Sequence, residues 1–214
     1  MSAFVFLHGF ASSAQSTKGC YFAERLRERG VPLRCPDLNE PDFATLTMTR
    51  MLEQLDRALD AAPARTTLIG SSLGGTLAIL AAARFAAQVD RLVLLAPAVM
   101  FADPEHHLVP PERVAEWRQK GALPFFHHGD GIERPLGFTF YEDSLQYDAF
   151  ATRFTQPALV FQGQRDSSVD PRTVEQFAHD RPNVALTLLD DDHQLAASLP
   201  RMWADMEPFL GLAD

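Results

Sequence analysis

Cysteine is almost missing from this chain: Cys20 and Cys35 are the only two in 214 residues. Two are too few to suggest a disulfide scaffold or a four-ligand zinc site, and the pair reads as ordinary reduced thiols. Positive charge is also scarce. Nineteen Lys and Arg face 28 Asp and Glu, a formal net charge of −9. That balance removes the attraction on which binding to a phosphate backbone depends, so nucleic acid is not expected as a partner. Long apolar runs are lacking too. The longest, Leu92 to Ala102, is broken by Pro97 and falls short of the roughly 20 helical residues that cross a bilayer. No basic residue precedes Lys18, so the start of the chain lacks the basic-then-apolar layout of a secretory signal, and a cytoplasmic location is expected. No phosphate-loop pattern G-x-x-x-x-G-K-S/T occurs, and no dinucleotide glycine fingerprint follows the first apolar run.

What the chain does have is a hydrophobic content of 46%, enough for one substantial core. Two apolar runs, Phe4 to Leu7 and Leu92 to Leu95, have the unbroken character of strands buried on both faces of a sheet. Weaker runs at Val31 to Cys35, Thr66 to Ile69, Ala158 to Phe161 and Val184 to Leu189 bring the expected strands to six. Helical patterns lie between them at Tyr21 to Arg29, Leu46 to Ala61, Leu73 to Phe85, Thr173 to His179 and Leu195 to Leu210. The second is the clearest, with Met48, Met51, Leu52, Leu55 and Leu59 recurring at three- and four-residue steps. This alternation predicts an α/β fold, a mostly parallel sheet of about six strands with helices on both faces.

One segment breaks the rhythm. Residues 98–154 carry prolines and charges with no clean strand-helix pair, and they hold ten of the aromatic residues, among them Phe101, Trp117, Phe125, Phe126, Phe138, Phe140 and Tyr147. We read this as a lid-like insertion in a single domain spanning 1–214. Its aromatics serve either as a pocket wall or as the large side chains that anchor a small excursion on the core.

The motif that carries chemistry is Gly70-Ser71-Ser72-Leu73-Gly74, set between the strand ending at Ile69 and the helix opening at Leu73. Glycines two residues either side of a serine allow a sharp strand-to-helix turn with the hydroxyl at its apex. The alternative for Ser72 is a plain helix N-cap. A serine nucleophile needs a base, and the base needs a carboxylate to hold its tautomer. Phe161-Gln162-Gly163-Gln164-Arg165-Asp166 places an aspartate just past a strand, and Leu189-Asp190-Asp191-Asp192-His193 places a histidine after the last strand. Parallel strand ends on one edge face one crevice, so Ser72, Asp166 and His193 can meet there. Asp170 is the competing acid, and Asp190, Asp191 and Asp192 read as a solvated loop. After the first strand, Leu7-His8-Gly9-Phe10 offers the backbone N–H of Phe10 as a partner to that of Leu73 in stabilising an oxyanion. His8 reads as structural, bonding within its loop. The doublets His106-His107 and His127-His128 do not read as metal ligands, because adjacent residues share neither a helix face nor a strand face.

These pieces, Leu7 to Ser13, Gly70 to Gly75, the Gly163 to Asp166 turn and His193, in the order Ser, Asp, His, resemble the α/β-hydrolases and especially the small bacterial YqiA-like esterases. The resemblance implies a compact version of that fold, lacking the first one or two strands of larger members. It also implies hydrolysis of carboxylic esters through an acyl-enzyme, with Ser72, Asp166 and His193 catalytic, Phe10 and Leu73 as oxyanion donors, and neither cofactor nor metal. The expected substrate is a small, neutral, fairly apolar ester. A thioesterase is disfavoured by the acidity of the insertion, and a non-catalytic ligand-binding module is disfavoured by the intact set of three residues.

Overall fold

The computed structural model describes residues 3–62, 64–101, 103 and 109–212. Among them, six parallel strands form one sheet: β1 (Ala3–Leu7), β2 (Leu33–Arg34), β3 (Thr66–Ser71), β4 (Val89–Leu95), β7 (Ala158–Gly163) and β8 (Val184–Leu189), ordered β2-β1-β3-β4-β7-β8. All five pairings are parallel. Successive side chains of a strand point to opposite faces, so the sheet divides the core in two. Val5, Leu7, Leu68, Leu92 and Leu94 pack with α2 (Met48–Asp60), α3 (Leu73–Arg84) and α6 (Pro171–His179). Phe4, Phe6, Ile69, Val93 and Leu95 pack with α1 (Thr17–Glu28) and α7 (Leu199–Phe209).

Helix α2 buries all five residues of its expected stripe, and the Thr47 hydroxyl caps its start by accepting the Arg50 N–H at 3.1 Å. Helix α3 is different, since every residue from Leu73 to Ala82 is buried. A helix apolar all round belongs in the interior, and this one runs directly from the strand that ends at Ser71.

Two regions differ from the sequence expectation. The edge strand β2 pairs over Leu33 and Arg34 only. More substantially, the segment read as lacking regular pairs contains α4 (Pro111–Lys120), an antiparallel hairpin of β5 (Ala122–His127) and β6 (Ile132–Gly137), and the short α5 (Thr139–Ser144). Proline argues against a central strand because it cannot donate to the ladder. Here Pro124 and Pro135 sit opposite each other in a two-stranded ribbon, where each strand is an edge and the missing donors can face outward.

The chain leaves β1 for β2 on one side and returns to β3 on the other. This reversal opens a crevice at the carboxyl ends of β1 and β3. The Gly70-to-Gly74 turn is packed too closely for side chains: a methyl on Gly70 would overlap the Gly74 carbonyl, and one on Gly74 would overlap the carbonyl oxygen of Leu7. Both obstacles are backbone and cannot swing aside. Gly74→Ala is therefore expected to destabilise the protein by about 3 kcal/mol, the upper end of ordinary overpacking, read as a lower midpoint in urea denaturation.

Candidate active site

Ser72 stands between β3 and α3 at φ 54° and ψ −116°, a conformation a residue with a side chain rarely adopts. Such strain costs on the order of 1–3 kcal/mol and persists only where neighbours over-determine it. They do so here. The Ser72 N–H donates to Leu95 O at 2.9 Å, and its carbonyl accepts from the N–H groups of Gly75, Thr76 and Ala98 at 2.8, 3.3 and 3.2 Å. The Ser72 hydroxyl makes no helix-cap bond. It lies instead 3.1 Å from His193 Nε2, so the capping alternative does not describe this serine.

His193 follows β8, and its other ring nitrogen, Nδ1, lies 2.8 Å from Asp166 Oδ2. An ionised carboxylate only accepts, so Nδ1 carries the proton and the Nε2 lone pair faces the serine hydroxyl. The Asp166 side chain is fully buried, whereas that of His193 keeps 18% of its surface exposed. Burial by itself would push the Asp166 carboxyl up. The bonds from His193, the Val169 N–H and Gln162 outweigh that effect and hold it below the usual carboxylate range. The geometry agrees: Oδ1 accepts the N–H groups of Ser168 and Val169, both at 2.8 Å, and Oδ2 also accepts from Gln162 Nε2 at 2.9 Å.

Asp170 is not part of this chain of bonds. It starts α6, accepting the Arg172 N–H at 2.9 Å. The three aspartates before His193 are not one solvated loop either. Asp190 pairs with Arg165 at the surface. Asp191 is buried, taking the N–H groups of Asp192 and Ser198 at 2.8 and 2.9 Å. Asp192 takes that of Gln194 at 2.8 Å. Tight turns leave backbone donors unpaired, and these carboxylates satisfy them.

The loop after β1 runs beside the serine, close enough that a methyl on Gly9 would reach Ser72 Cβ at 3.5 Å. Leu73 opens α3, so its N–H has no acceptor within the helix. The Phe10 ring is sunk among Phe43, Phe101, Phe125 and Phe140, with ring centroids 5.8, 6.3, 5.6 and 5.4 Å away. Behind it Ala11 is held at φ 50°. Its carbonyl accepts the His128 N–H of the hairpin at 2.6 Å, and Asn39 Nδ2 donates to Ser12 O at 2.8 Å. His8 does more than bond within its loop. Its Nε2 accepts the Leu38 N–H at 3.0 Å, which leaves Nδ1 to donate to Gly9 O at 2.9 Å. Burial pulls its pKa down, in keeping with a neutral ring.

Several aromatics of residues 98–154 anchor the segment, whereas Tyr147 and Phe150 line a cavity. Phe101 and Phe140 are buried against each other and against Phe10, Trp117 packs on Phe125 and Phe138, and Trp117 Nε1 donates to Leu136 O at 2.7 Å. Two cavities flank this region. One, of about 310 Å³, is lined by Val99, Met100, Asp103, Leu145, Tyr147 and Phe150 among others. The other, of about 360 Å³, is bordered by Ser13, Asp37, Glu40, Asp42, Asp130 and Arg134 among others. Ser72, Asp166 and His193 line neither.

His127 is buried and its Nδ1 takes the Asp130 N–H at 3.2 Å. His106 and His107 lie outside the described residues. Among the described residues, no group of three His, Cys, Asp or Glu side chains is placed to hold a metal ion, and no helix is long and apolar enough to cross a membrane. Two side chains bonded to these residues escaped the sequence reading: Gln162, which donates to Asp166, and Lys18, which donates to the His193 carbonyl. Gln162 had a legible signal, a polar side chain inside the otherwise apolar run Ala158 to Phe161 and its continuation to Gly163.

Solved structures share this architecture. The mouse α/β-hydrolase domain-containing protein 10 superposes with a TM-score of 0.81 at 22% identity, over 98% of this chain and 89% of that one. Est1E from Butyrivibrio proteoclasticus, in a structure with ferulic acid bound, gives 0.83 at 21% identity, over 98% and 88%. The monoacylglycerol lipase of Paleococcus ferrophilus gives 0.75 at 15% identity, over 98% and 94%. These likenesses establish the α/β-hydrolase fold. No curated protein matches the sequence. A family model does match, over residues 3–207, that of the uncharacterised protein family UPF0227, and so this chain, an α/β-hydrolase by fold, belongs to UPF0227.

Proposed function

We propose that this protein is a serine hydrolase that cleaves carboxylic esters through an acyl-enzyme. Ser72 attacks the acyl carbon while His193 Nε2 takes its proton, and Asp166 keeps Nδ1 protonated and steadies the imidazolium that forms. The N–H groups of Leu73 and Phe10 receive the negative charge of the tetrahedral oxygen. His193 then protonates the departing alcohol, takes a proton from the water that attacks the acyl carbon, and returns that proton to Ser72 Oγ as the acyl–Oγ bond breaks and the acid leaves. The observation that carries this reading is the imidazole bonded on one side to the Ser72 hydroxyl at 3.1 Å and on the other to a buried carboxylate at 2.8 Å. The strained backbone at Ser72 and the fastened loop through Ala11 support it, because a donor loop that need not reorganise is worth most during the reaction.

The substrate we propose is a neutral ester in the cytoplasm. The chain's formal net charge of −9 disfavours an anionic one. Two experiments test the function. A fluorophosphonate should label the wild-type protein on Ser72 and leave Ser72→Ala unlabelled. An acyl-chain series of chromogenic esters, run with a matched thioester, should show ester turnover favoured. Well-folded protein that fails to label between about pH 6 and 9 would remove the catalytic reading in favour of a binding module.

A further inference from the structure

Lys18 is one of only two lysines in the chain, and it is buried, with 8% of its surface exposed. It sits at the second position of α1, and its side chain crosses to the loop between β8 and α7. There the ammonium donates to Gln194 O at 2.9 Å and to His193 O at 3.4 Å. Burying a lone lysine is unfavourable unless its charge does something there. The loop it grips is itself under strain. Leu195, fully buried, is held at φ 54° immediately after the two carbonyls that Lys18 bonds. The loop's N–H groups are held by Asp191 and Asp192, and Lys18 holds its carbonyls.

Resting on the hydrolase reading above, we propose that Lys18 is a positioning residue. Its ammonium fixes the His193–Gln194 peptide so that the His193 imidazole stays aligned between the Ser72 hydroxyl and Asp166. Lys18 touches neither substrate nor reacting atoms and acts only through the backbone of His193. The charged groups facing it are Asp166 from the turn between β7 and α6, and Asp191 and Asp192 from the loop after β8, which also carries the His193 ring.

This role has a signature in pH. Burial pulls the Lys18 pKa from its ordinary 10.5 to about 8, and the three aspartates only partly oppose the fall. As pH rises through about 8, the folded protein loses the charge-assisted bonds to the loop, and turnover falls. Stability moves the other way. Between about 8 and 10.5 the unfolded chain binds a proton that the folded chain has released, so this group's contribution to stability rises with pH. A lysine with no positioning role would give the same rise in stability without a fall in turnover near pH 8.

The test compares full-length wild type, Lys18→Met, Lys18→Arg and Ser72→Ala. The readouts are p-nitrophenyl acetate turnover from about pH 6 to 10, thermal melting, and the NMR signal of the His193 Nδ1 proton. Lys18→Met should lower kcat by about tenfold to a hundredfold, the scale of a misaligned catalytic group. Its KM and melting temperature should not fall, its alkaline limb should vanish, and its Nδ1 proton signal should broaden. Lys18→Arg should recover kcat to within a few fold and show no limb near pH 8, since guanidinium stays charged. A Lys18→Met protein with wild-type kcat and limb would overturn the proposal, and so would a limb that persists in Lys18→Arg should the methionine variant not fold. If Ser72→Ala turns over ester as fast as wild type, the hydrolase reading is what fails. The Nδ1 signal then still decides whether Lys18 positions His193, being broadened in Lys18→Met if it does and unchanged if it does not.

Discussion

Ser72→Ala is expected to lower kcat for a short chromogenic ester by about 10⁵- to 10⁶-fold, the scale seen when the nucleophile of a comparable serine enzyme is removed. The residual rate would come from oxyanion donors and binding alone, with water as nucleophile. The fold should be untouched, because the hydroxyl makes no helix-cap bond whose loss could loosen α3 and alanine is no worse than serine at φ 54°. Circular dichroism and a melting curve matching the wild type, beside kcat at background, are the expected pair. Turnover within tenfold of wild type in a contaminant-free preparation would mean that Ser72 is not the nucleophile.

Asp166→Asn is expected to lower kcat by about 10⁴-fold with KM little changed, because an amide in that place can reverse the histidine tautomer. The carboxylate now accepts the Nδ1 proton at 2.8 Å. An asparagine can turn its NH₂ toward Nδ1, which drives the proton to Nε2 and removes the lone pair that faces Ser72. Part of the loss should appear as stability. The Asp166 carboxyl titrates below its ordinary value in the folded protein, so its contribution is present above the unfolded value near pH 4 and is lost as pH falls through the lower folded value. Asp170→Asn is the matched control. That carboxylate only caps α6, and asparagine caps nearly as well, so kcat should stay within about twofold. Equal losses at both positions, measured as kcat at neutral pH, would contradict the assignment of the acid.

The strands and the Gly70-to-Gly74 turn were legible from local pattern because each is specified by residues close together in the chain. The run Phe4 to Leu7 had to be buried on both faces, the five apolar residues of α2 had to share one stripe, and the Gly-x-Ser-x-Gly spacing had to make a tight turn. The hairpin of β5 and β6 was not legible, because its prolines speak against strands unless one knows that both strands are edges. Nor was the burial of Asp191. Three consecutive aspartates look solvated, and only the turn back into α7 supplies the N–H of Ser198 that the carboxylate satisfies.

By itself, then, the amino-acid order determined the α/β alternation, the serine at a strand-to-helix turn, and an aspartate and a histidine in the loops after two later strands. The tertiary structure alone decided which aspartate reaches the ring, since Asp166 and Asp170 differ by four residues in sequence but by role in space. It also decided that Phe101, Phe125 and Phe140 pack on Phe10 while Tyr147 and Phe150 line a cavity, and that Lys18, 175 residues from His193, holds the histidine loop. The physical reason is the same in each case. Secondary structure follows from periodicity and turn chemistry over a few residues, whereas hydrogen bonds between distant loops depend on how parallel strands of one sheet bring their carboxyl ends to a common edge.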